Sequence, residues 1–354
     1  MKRINLVQAG FGLIGTAVAE QVLANRAMWA EAYGLDVRIT GICSSRGIIG
    51  LAAEGIDSEQ ITALIASRRA GDLIAPVDGR PILDQAIVLD AAAGTGTTAL
   101  AKSALAAGGA VVYSNKAPLS QATTEVADLW SAARSGLVRY ETTCGAGLPV
   151  ISTVKSLLAT GDEVIEIVGC LSGTLGAIFS SIAEGAPMSQ AVLDAKAAGY
   201  TEPDPRDDLS GLDVARKALI LARTIGRSVD LSDIAVESLV PADLAAGSVA
   251  DFLTGISAHD QAMGKRQQDA LATGSTLKYV ATIPATGAIN VGIQPVPTST
   301  VLGALQGPEN IISIRTTRYD RYPLTISGPG AGAAVTAAGM IADMLDLARG
   351  RFPS

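Results

Sequence analysis

Residues 199–217 bring several carboxylates close to a lysine. Asp213 and Lys217 are four positions apart, so a helix would place them on one face. Such a pair is either an exposed ion pair that adds little stability or part of a reactive site, and the spacing favours neither. A lysine beside carboxylates can give a proton to a reacting oxygen while the carboxylates bind a substrate ammonium.

The same segment is expected to contain a stiff loop followed by a helix. Two prolines restrict the loop, which carries four carboxylates. Ser210 and Asp213 have the spacing of a capping box, which predicts that a helix begins there. Its apolar face would consist of Leu212, Ala215 and Leu219.

Histidine is nearly absent, since the chain contains only His259. This residue lies in no recognisable pattern, and we interpret it as structural or surface. A Ser/His/Asp triad or a Cys/His pair would depend on this single base. Proton transfer is therefore expected from Lys, Asp, Glu or Tyr.

A glycine-rich turn follows the predicted first strand and opens the predicted first helix. Gly10 permits the tight turn, Gly12 lets the backbone approach a pyrophosphate, and Gly15 allows close packing of helix and strand. The pattern predicts a nicotinamide dinucleotide site, with a purely structural turn as the alternative. Its residues are Gly10, Phe11, Gly12, Leu13, Ile14 and Gly15.

The second predicted strand ends without the acidic residue that binds the ribose hydroxyls in NAD-preferring sites. Ser44, Ser45 and Arg46 stand there instead. Hydroxyls and a guanidinium suit a 2′-phosphate, which favours NADP over NAD. The alternative is that Arg46 is a solvated loop residue and that either cofactor is used.

The first 120 residues alternate apolar strands with Ala- and Leu-rich helical stretches, which is typical of a doubly wound parallel sheet. The predicted elements are 4–9, 16–25, 37–43, 86–90, 99–107 and 110–113. Ligands bind such sheets at the carboxyl ends of the strands. Residues that follow the strands are therefore expected at the cofactor, namely Ser44, Arg46, Thr95, Ser114, Asn115 and Lys116.

A dinucleotide site changes the interpretation of the helical ion pair. Hydride transfer to a carbonyl requires a proton donor at its oxygen, which favours a functional role for Lys217. Lys116, at a strand's carboxyl end, is a second candidate lysine, on the cofactor side.

Beyond residue 150 the pattern changes to strands mixed with long helices, which predicts an α+β domain. The expected strands are 164–171, 277–283, 288–295 and 311–317, and a long helix is expected at 211–225. The glycine-rich segment 328–332 and the helical pattern after it should return to the first domain. We therefore predict a Rossmann-type α/β domain over 1–140 and 328–354, and a substrate-binding and dimerisation domain over 141–327.

The composition excludes several classes of protein. The 354 residues are 48% hydrophobic, with a net charge of -7 and no basic run, which argues against nucleic-acid binding. Three scattered cysteines form neither a disulfide framework nor a zinc site and suit the cytoplasm. No apolar stretch reaches the length of a membrane span, and the apolar start is too short for a signal peptide.

The sequence resembles the homoserine dehydrogenase family along nearly its whole length. The resemblance implies interconversion of aspartate 4-semialdehyde and homoserine with NAD(P), by a homodimer. It rests on the glycine-rich turn, Asn115-Lys116, 145–149, 172–175, 199–217 and 328–332.

The resemblance also implies roles for individual residues. Lys217 would be the acid/base group at the substrate oxygen, assisted by Lys116. Substrate would be bound by Glu202 and Asp213, with Asp208, Thr174 and Tyr200 in the same pocket. The cofactor would also lie against Gly199 and Gly332.

A monovalent cation, Na⁺ or K⁺, is a further implication of the resemblance. Its ligands would be Glu141 and the backbone carbonyls of Cys144, Ala146 and Leu148. The alternative for Glu141 is an ordinary carboxylate at the end of a strand.

The chain departs from the family pattern at Gly176, where many relatives carry a larger residue. It also shows neither a regulatory domain after the closing helix nor an aspartate kinase before the first strand, so feedback control through such a regulatory domain is not expected. The rival interpretations are a sugar or imino-acid reductase and a catalytically silent dinucleotide sensor, and neither accounts for residues 202–217 and the lysine pair.

Overall fold

The computed structural model describes residues 1–350, so residues 351–354 of the predicted first domain lie outside the described range. The chain divides into two compact units. One unit contains Met1–Gly147 and the segment that begins at Ala331, and the other is Leu148–Gly330. Within residues 1–350, no helix combines the length and apolar character that a membrane crossing requires.

Strands and helices alternate along the first unit and mix in the second. The strands are β1 (Lys2–Ala9), β2 (Leu35–Ser44), β3 (Gly47–Leu51), β4 (Ile87–Asp90), β5 (Ala110–Tyr113), β6 (Val138–Arg139), β7 (Val164–Cys170), β8 (Ile234–Val236), β9 (Ser275–Pro284), β10 (Ile289–Pro297), β11 (Glu309–Thr316) and β12 (Leu324–Pro329). The helices are α1 (Leu13–Tyr33), α2 (Ser58–Ala70), α3 (Thr98–Ala106), α4 (Ala127–Arg134), α5 (Val150–Ala159), α6 (Gly173–Ala183), α7 (Met188–Ala197), α8 (Pro205–Leu209), α9 (Leu212–Thr224), α10 (Val249–Gly255), α11 (Asp260–Leu271) and α12 (Ala333–Gly350).

The first sheet has the strand order β3-β2-β1-β4-β5-β6, which reverses direction at β1 as in a doubly wound fold. Its strands pair in parallel, except that β3 runs antiparallel to β2. The predicted α/β class is therefore confirmed, with one difference. The chain turns back at Ser45 and Arg46 and adds an edge strand, which the sequence pattern did not predict.

Helices on the first sheet explain why its strands are mostly apolar. Leu6, Val7 and Ala9 of β1 are each at most 1% exposed, as expected for a parallel strand buried on both faces. Helix α12 contributes Met340 and Met344 to the same core as Val18 and Val22 of α1.

The second sheet has the order β12-β11-β7-β9-β10-β8. Its neighbours pair antiparallel, apart from the short parallel contact of β8 with β10. Helices α6, α9 and α11 pack against β9. Sheet and helices together form the α+β arrangement that the sequence predicts.

Candidate active site

The glycine-rich turn leads into α1 with its amide donors uncovered. Gly12 caps the helix without a side-chain hydrogen bond, and the first turn has no acidic residue. A Cβ on Gly12 would meet nothing within 4 Å, and Leu13 is 78% exposed. The first amide groups of a helix have no intrahelical acceptor and attract anions. The turn therefore fits a dinucleotide pyrophosphate.

Two of the predicted turn residues can contribute only backbone atoms. The Phe11 side chain is buried in the core, and Ile14 packs against that core. The Phe11 carbonyl accepts a hydrogen bond from Arg68 Nε at 2.9 Å. A Cβ on Gly15 would overlap the Gly10 carbonyl oxygen, which explains why glycine is needed there.

Ser44 is the last residue of β2, and Arg46 lies in the hairpin turn between β2 and β3. The Ser44 hydroxyl donates to the Gly47 carbonyl at 3.1 Å and accepts from the Arg46 amide at 3.2 Å. Arg46 itself is exposed. The serine therefore shapes the turn, while the guanidinium is accessible to a ligand.

Asp90 joins the ends of the central strands, a role that sequence reasoning missed. It is 0% exposed and accepts from Thr97 Oγ1 at 2.5 Å and from the Ala92 amide at 3.0 Å. Its backbone carbonyl accepts from the amides of Ser114 and Asn115. The buried carboxylate thus orders both the loop after β4 and the loop after β5.

The strand-end residues predicted at the cofactor differ in exposure. Thr95 is exposed, Ser114 and Asn115 are buried, and Lys116 is half-buried. The Asn115 amide nitrogen donates to the Gly94 carbonyl at 2.8 Å. Asn115 therefore links the two loops that Asp90 also joins.

Replacing Asp90 with Asn should change how stability depends on pH. Burial raises the pKa of Asp90 against opposing hydrogen bonds from Thr97, Ala92 and Asn115. A raised carboxyl pKa contributes stability below the unfolded value of about 4 and loses it as the pH rises through the folded value. The free energy of unfolding of wild type minus that of Asp90→Asn should therefore fall as the pH rises from about 4 to 7.

Asp162→Asn provides a control of opposite sign when wild type and both variants are unfolded with urea at a series of pH values. Burial opposes ionisation of Asp162, but hydrogen bonds from Thr316, Thr317 and the Arg318 amide lower its pKa overall. A lowered pKa gives stability that is present above the unfolded value and lost as the pH falls. The free energy of unfolding of wild type minus that of Asp162→Asn should therefore rise as the pH rises. If the stability difference from wild type changed with pH in the same direction for both variants, the raised pKa of Asp90 and the lowered pKa of Asp162 could not both be correct.

Lys217 has a buried ammonium with a defined position. The residue is 8% exposed. Its Nζ donates to the Leu171 carbonyl at 2.5 Å and lies 2.8 Å from Asp213 Oδ2, whose side chain is 45% exposed. Burial of the lysine removes the interpretation as a solvated surface pair. The Leu171 carbonyl, at the end of β7, is a partner that no sequence pattern indicated.

Thr174, Asp208 and the chain at 200–202 form a second group of contacts in this unit. Thr174 Oγ1 lies 2.6 Å from the Tyr200 carbonyl oxygen and 3.0 Å from Asp208 Oδ1, so its single proton is shared between these two acceptors. Asp208 Oδ2 accepts from the Glu202 amide at 2.8 Å. The Glu202 side chain and the Tyr200 ring remain exposed. Burial raises the pKa of Asp208, and the negative charges of Asp213 and Asp207 add to that effect.

The predicted capping box is wrong. The chain around the prolines forms the short helix α8, and Ser210 caps its C-terminus with its hydroxyl donating to the Asp207 carbonyl. Helix α9 begins after Gly211, which has φ +74° and no side-chain cap. The two helices are therefore joined by a left-handed glycine, a conformation that the Ser210 and Asp213 pattern does not reveal.

The predicted cation ligands lie in a buried turn. Glu141, Cys144 and Ala146 are buried, and Leu148 is partly buried. The Glu141 amide donates to Asp343 Oδ2 at 2.9 Å, and Ala146 has a positive φ of 53°. Among the described residues no three His, Cys, Asp or Glu side chains form a metal-binding group. A cation would therefore depend mainly on backbone carbonyls.

The remaining predicted residues are less informative. Gly199 and Gly332 are exposed and have positive φ angles. A Cβ on Gly176 would lie 2.8 Å from the Gly307 carbonyl oxygen, so a larger residue would require that segment to shift. His259 contacts Asp243 at 3.3 Å on the surface.

Family models match both parts of the chain. Residues 149–345 match the homoserine dehydrogenase model, and residues 10–142 match the model of the homoserine dehydrogenase NAD-binding domain. Homoserine dehydrogenase of Saccharomyces cerevisiae is 35% identical and aligned over 98% of this chain and 99% of its own. The bifunctional aspartokinase/homoserine dehydrogenase 2 of Zea mays is 38% identical over 96% of this chain, which spans only 38% of that relative.

Solved structures share the whole fold. A Candida auris protein of unknown function has a TM-score of 0.87 at 30% identity, covering 99% of each chain. A hyperthermophilic archaeal homoserine dehydrogenase in complex with NADPH has a TM-score of 0.74 at 22% identity, covering 99% of each chain. The chain belongs to the homoserine dehydrogenase family, and residues 10–142 are its NAD-binding domain.

Proposed function

We propose that this chain interconverts L-aspartate 4-semialdehyde and L-homoserine with NADP, or with NAD, in the biosynthesis of threonine, methionine and isoleucine. The observation that carries the proposal is the buried ammonium of Lys217, held by Asp213 and the Leu171 carbonyl. Family membership supports the reaction, and this geometry supports Lys217 as its acid/base group.

Lys217 would hold the transferable proton at the substrate oxygen. In the direction of reduction it would give this proton to the forming alkoxide, and in oxidation it would accept it. The Asp213 carboxylate, 2.8 Å from Nζ, orients the Lys217 side chain for this transfer. Lys116 would assist from the nicotinamide side.

Substrate recognition would fall to the carboxylates near Lys217. Glu202 and Asp213 would bind the amino group of the substrate, because an accessible carboxylate can accept charge-assisted hydrogen bonds from an ammonium. Thr174 and Asp208 would fix the segment that carries Glu202, as their hydrogen bonds to 200–202 support. Tyr200 would line the pocket.

The bound nicotinamide would supply or accept the hydride. The turn 10–15 would bind the pyrophosphate, and the loops joined by Asp90 would contact the rest of the dinucleotide. Those contacts are assigned to Thr95, Ser114, Asn115, Lys116, Gly199 and Gly332. The archaeal relative in complex with NADPH supports a nucleotide in a fold of this kind.

Arg46→Ala should separate the two cofactors. If the exposed guanidinium contacts a 2′-phosphate, its loss should raise KM for NADP by about tenfold or more, since charge-assisted hydrogen bonds contribute about 1.5–3 kcal/mol. KM for NAD should change little. Arg134→Ala, which removes an exposed arginine from α4, is the control. Equal effects of Arg46→Ala on both cofactors would reject the 2′-phosphate assignment.

A monovalent cation, Na⁺ or K⁺, would bind Glu141 and the carbonyls of Cys144, Ala146 and Leu148. The buried carboxylate and the left-handed Ala146 support a turn that directs carbonyls inward. Thermal unfolding in KCl, NaCl and choline chloride tests binding. A cation-specific rise in Tm that Glu141→Gln abolishes is expected, and an identical Tm in all three salts would exclude the site.

A homodimer is proposed through the second sheet. Cross-strand register places Thr325, Ser313, Val168 and Thr282 in one row, and all four side chains are partly or fully exposed. A row of small residues across a sheet suits sheet-on-sheet packing. Light scattering after size exclusion measures the mass, and a monomer at micromolar concentration would oppose this assignment.

A cytoplasmic location is proposed from the cysteines. Cys43, Cys144 and Cys170 form no disulfide, and burial raises the pKa of Cys170 to about 12. A protonated, buried thiol is stable in a reducing compartment.

A substrate panel tests the reaction class. With NADP, the enzyme should oxidise homoserine and leave sugars and cyclic imino acids unchanged. Turnover of a sugar or an imino acid without turnover of homoserine would favour another reductase. Binding of NADPH without turnover of any substrate would favour a silent sensor.

A further inference from the structure

Gln8 is a polar residue in the most buried part of the first sheet. It is 1% exposed, and its neighbours Val7 and Ala9 in β1 are equally buried. Its Nε2 donates to the Gly10 carbonyl at 3.0 Å and to the Gly15 carbonyl at 2.8 Å. One side-chain amide therefore binds the first and last residues of the glycine-rich turn.

The packing around this amide is tight. A Cβ on Gly15 would lie 2.8 Å from Gln8 Nε2 and would overlap the Gly10 oxygen. Two carbonyl oxygens that converge on one point repel each other unless a donor lies between them. The amide group of Gln8 is that donor, and it holds both carbonyls on the strand side of the turn.

Stability alone does not account for a glutamine at this position. Gln8 Oε1 is buried and has no hydrogen-bond partner among residues 1–350. Burying a polar atom without a partner is unfavourable, and an apolar side chain would avoid this loss. The two hydrogen bonds to the turn are the compensating feature.

We propose that Gln8 is a positioning residue for cofactor binding, an inference that rests on the proposed function. By fixing the Gly10 and Gly15 carbonyls from beneath, it keeps the uncapped amides at the start of α1 arranged for the pyrophosphate. Gln8 contacts the turn and acts on the dinucleotide only through it. Cofactor affinity should therefore depend on this side chain more strongly than turnover does.

The first test compares Gln8→Leu with wild type. Titration of NADPH, followed by nicotinamide fluorescence, should show Kd raised by about tenfold or more, because two hydrogen bonds to the turn are lost. KM for NADP should rise in parallel, while kcat stays within about threefold. In the free protein, amides of residues 10–15 should exchange hydrogen faster than in wild type.

Thr40→Val is the matched control. Thr40 is 2% exposed on β2, and its hydroxyl donates to the Leu6 carbonyl at 3.2 Å. This variant also loses a buried hydrogen bond in the first sheet but does not touch the turn. It should bind NADPH as wild type does, and a similar loss of affinity in both variants would reduce Gln8 to a general stabilising residue.

Gln8→Glu gives a test with a pH signature. An ionised glutamate has no proton to donate and repels both carbonyls, whereas the protonated acid can donate to one of them. NADPH affinity relative to wild type should therefore improve as the pH is lowered from 8 to 6. NADPH affinity equal to that of wild type at every pH would overturn the proposal.

The outcomes separate this inference from the proposed function. Failure of wild type to bind either NADPH or NADH would refute the proposed function itself. Wild-type binding with unchanged affinity in Gln8→Leu would refute only the role of Gln8.

Discussion

Replacing Lys217 with methionine is expected to lower kcat for homoserine oxidation by about 10²–10⁴-fold, the usual contribution of a general acid/base group. Methionine preserves the apolar stem but removes the ammonium that lies between Asp213 and the Leu171 carbonyl. NADPH affinity should remain close to that of wild type. Steady-state rates and fluorescence titration measure the two quantities.

Fold damage can be separated from lost chemistry in that variant. Asp213 is 45% exposed and can be hydrated once its partner is gone, so the cost to stability should be about 1–3 kcal/mol. Lys265→Met is a matched control, because Lys265 also pairs with a carboxylate four positions away, Asp269, but on the surface. Activity of Lys217→Met within about tenfold of wild type would remove Lys217 as the acid/base group.

Gly211→Ala should have the largest effect on stability. The residue joins α8 to α9 at φ +74°, and a Cβ there would overlap the Tyr279 hydroxyl. We expect a loss of about 1–2 kcal/mol for the left-handed backbone and about 1–3 kcal/mol more for the overlap. Because α9 carries Asp213 and Lys217, activity should fall as well.

Gly274→Ala isolates the backbone part of this loss. Gly274 has φ +71°, and a Cβ there would meet nothing within 4 Å. The decrease in the free energy of unfolding of Gly274→Ala, measured by urea denaturation, should therefore be smaller than that of Gly211→Ala. The difference should equal the contribution of the overlap with Tyr279. In a double-mutant cycle, Tyr279→Phe should recover part of the Gly211→Ala loss. Equal losses for the two glycine variants would show that contact with Tyr279 is not responsible.

The sequence predicts the first sheet well because burial on both faces leaves a simple pattern. Apolar runs end at Ala9, Asp90 and Tyr113, and the structure ends β1, β4 and β5 at those residues. The hairpin strand β3 was missed, since no glycine pair or proline marks the turn at Ser45 and Arg46. Its strand residues also continue the apolar pattern of the preceding strand.

The second unit shows the limit of local patterns. Ser210 and Asp213 fit a capping box, yet the left-handed Gly211 assigns Ser210 to the end of α8 instead. The sequence pattern does not predict the edge strand β12, Leu324–Pro329, because its residues are only half-buried and continue into a glycine-rich segment. Turn conformation and edge pairing depend on tertiary packing that a capping or periodicity rule does not include.

The sequence indicates the charged side chains of the candidate site. It does not indicate the contacts that these side chains make with residues distant in sequence. Helical spacing alone predicts the contact between Lys217 and Asp213, while their place in the site is inferred from the dinucleotide motif and the family resemblance. The Leu171 carbonyl is 46 residues from Lys217, and the Asp90 contact to Asn115 spans 25. Gln8 stands in an apolar strand, and only its contacts to Gly10 and Gly15 show what it does.

The central claim is tested most directly by following nicotinamide absorbance with purified enzyme, L-homoserine and either NADP or NAD at alkaline pH. We predict homoserine-dependent reduction of the nicotinamide, faster at low cofactor concentration with NADP. Aspartate 4-semialdehyde should form in equal amount and drive the reverse reaction with NADPH. A folded enzyme that binds NADPH but reduces neither cofactor with homoserine would contradict the proposed function.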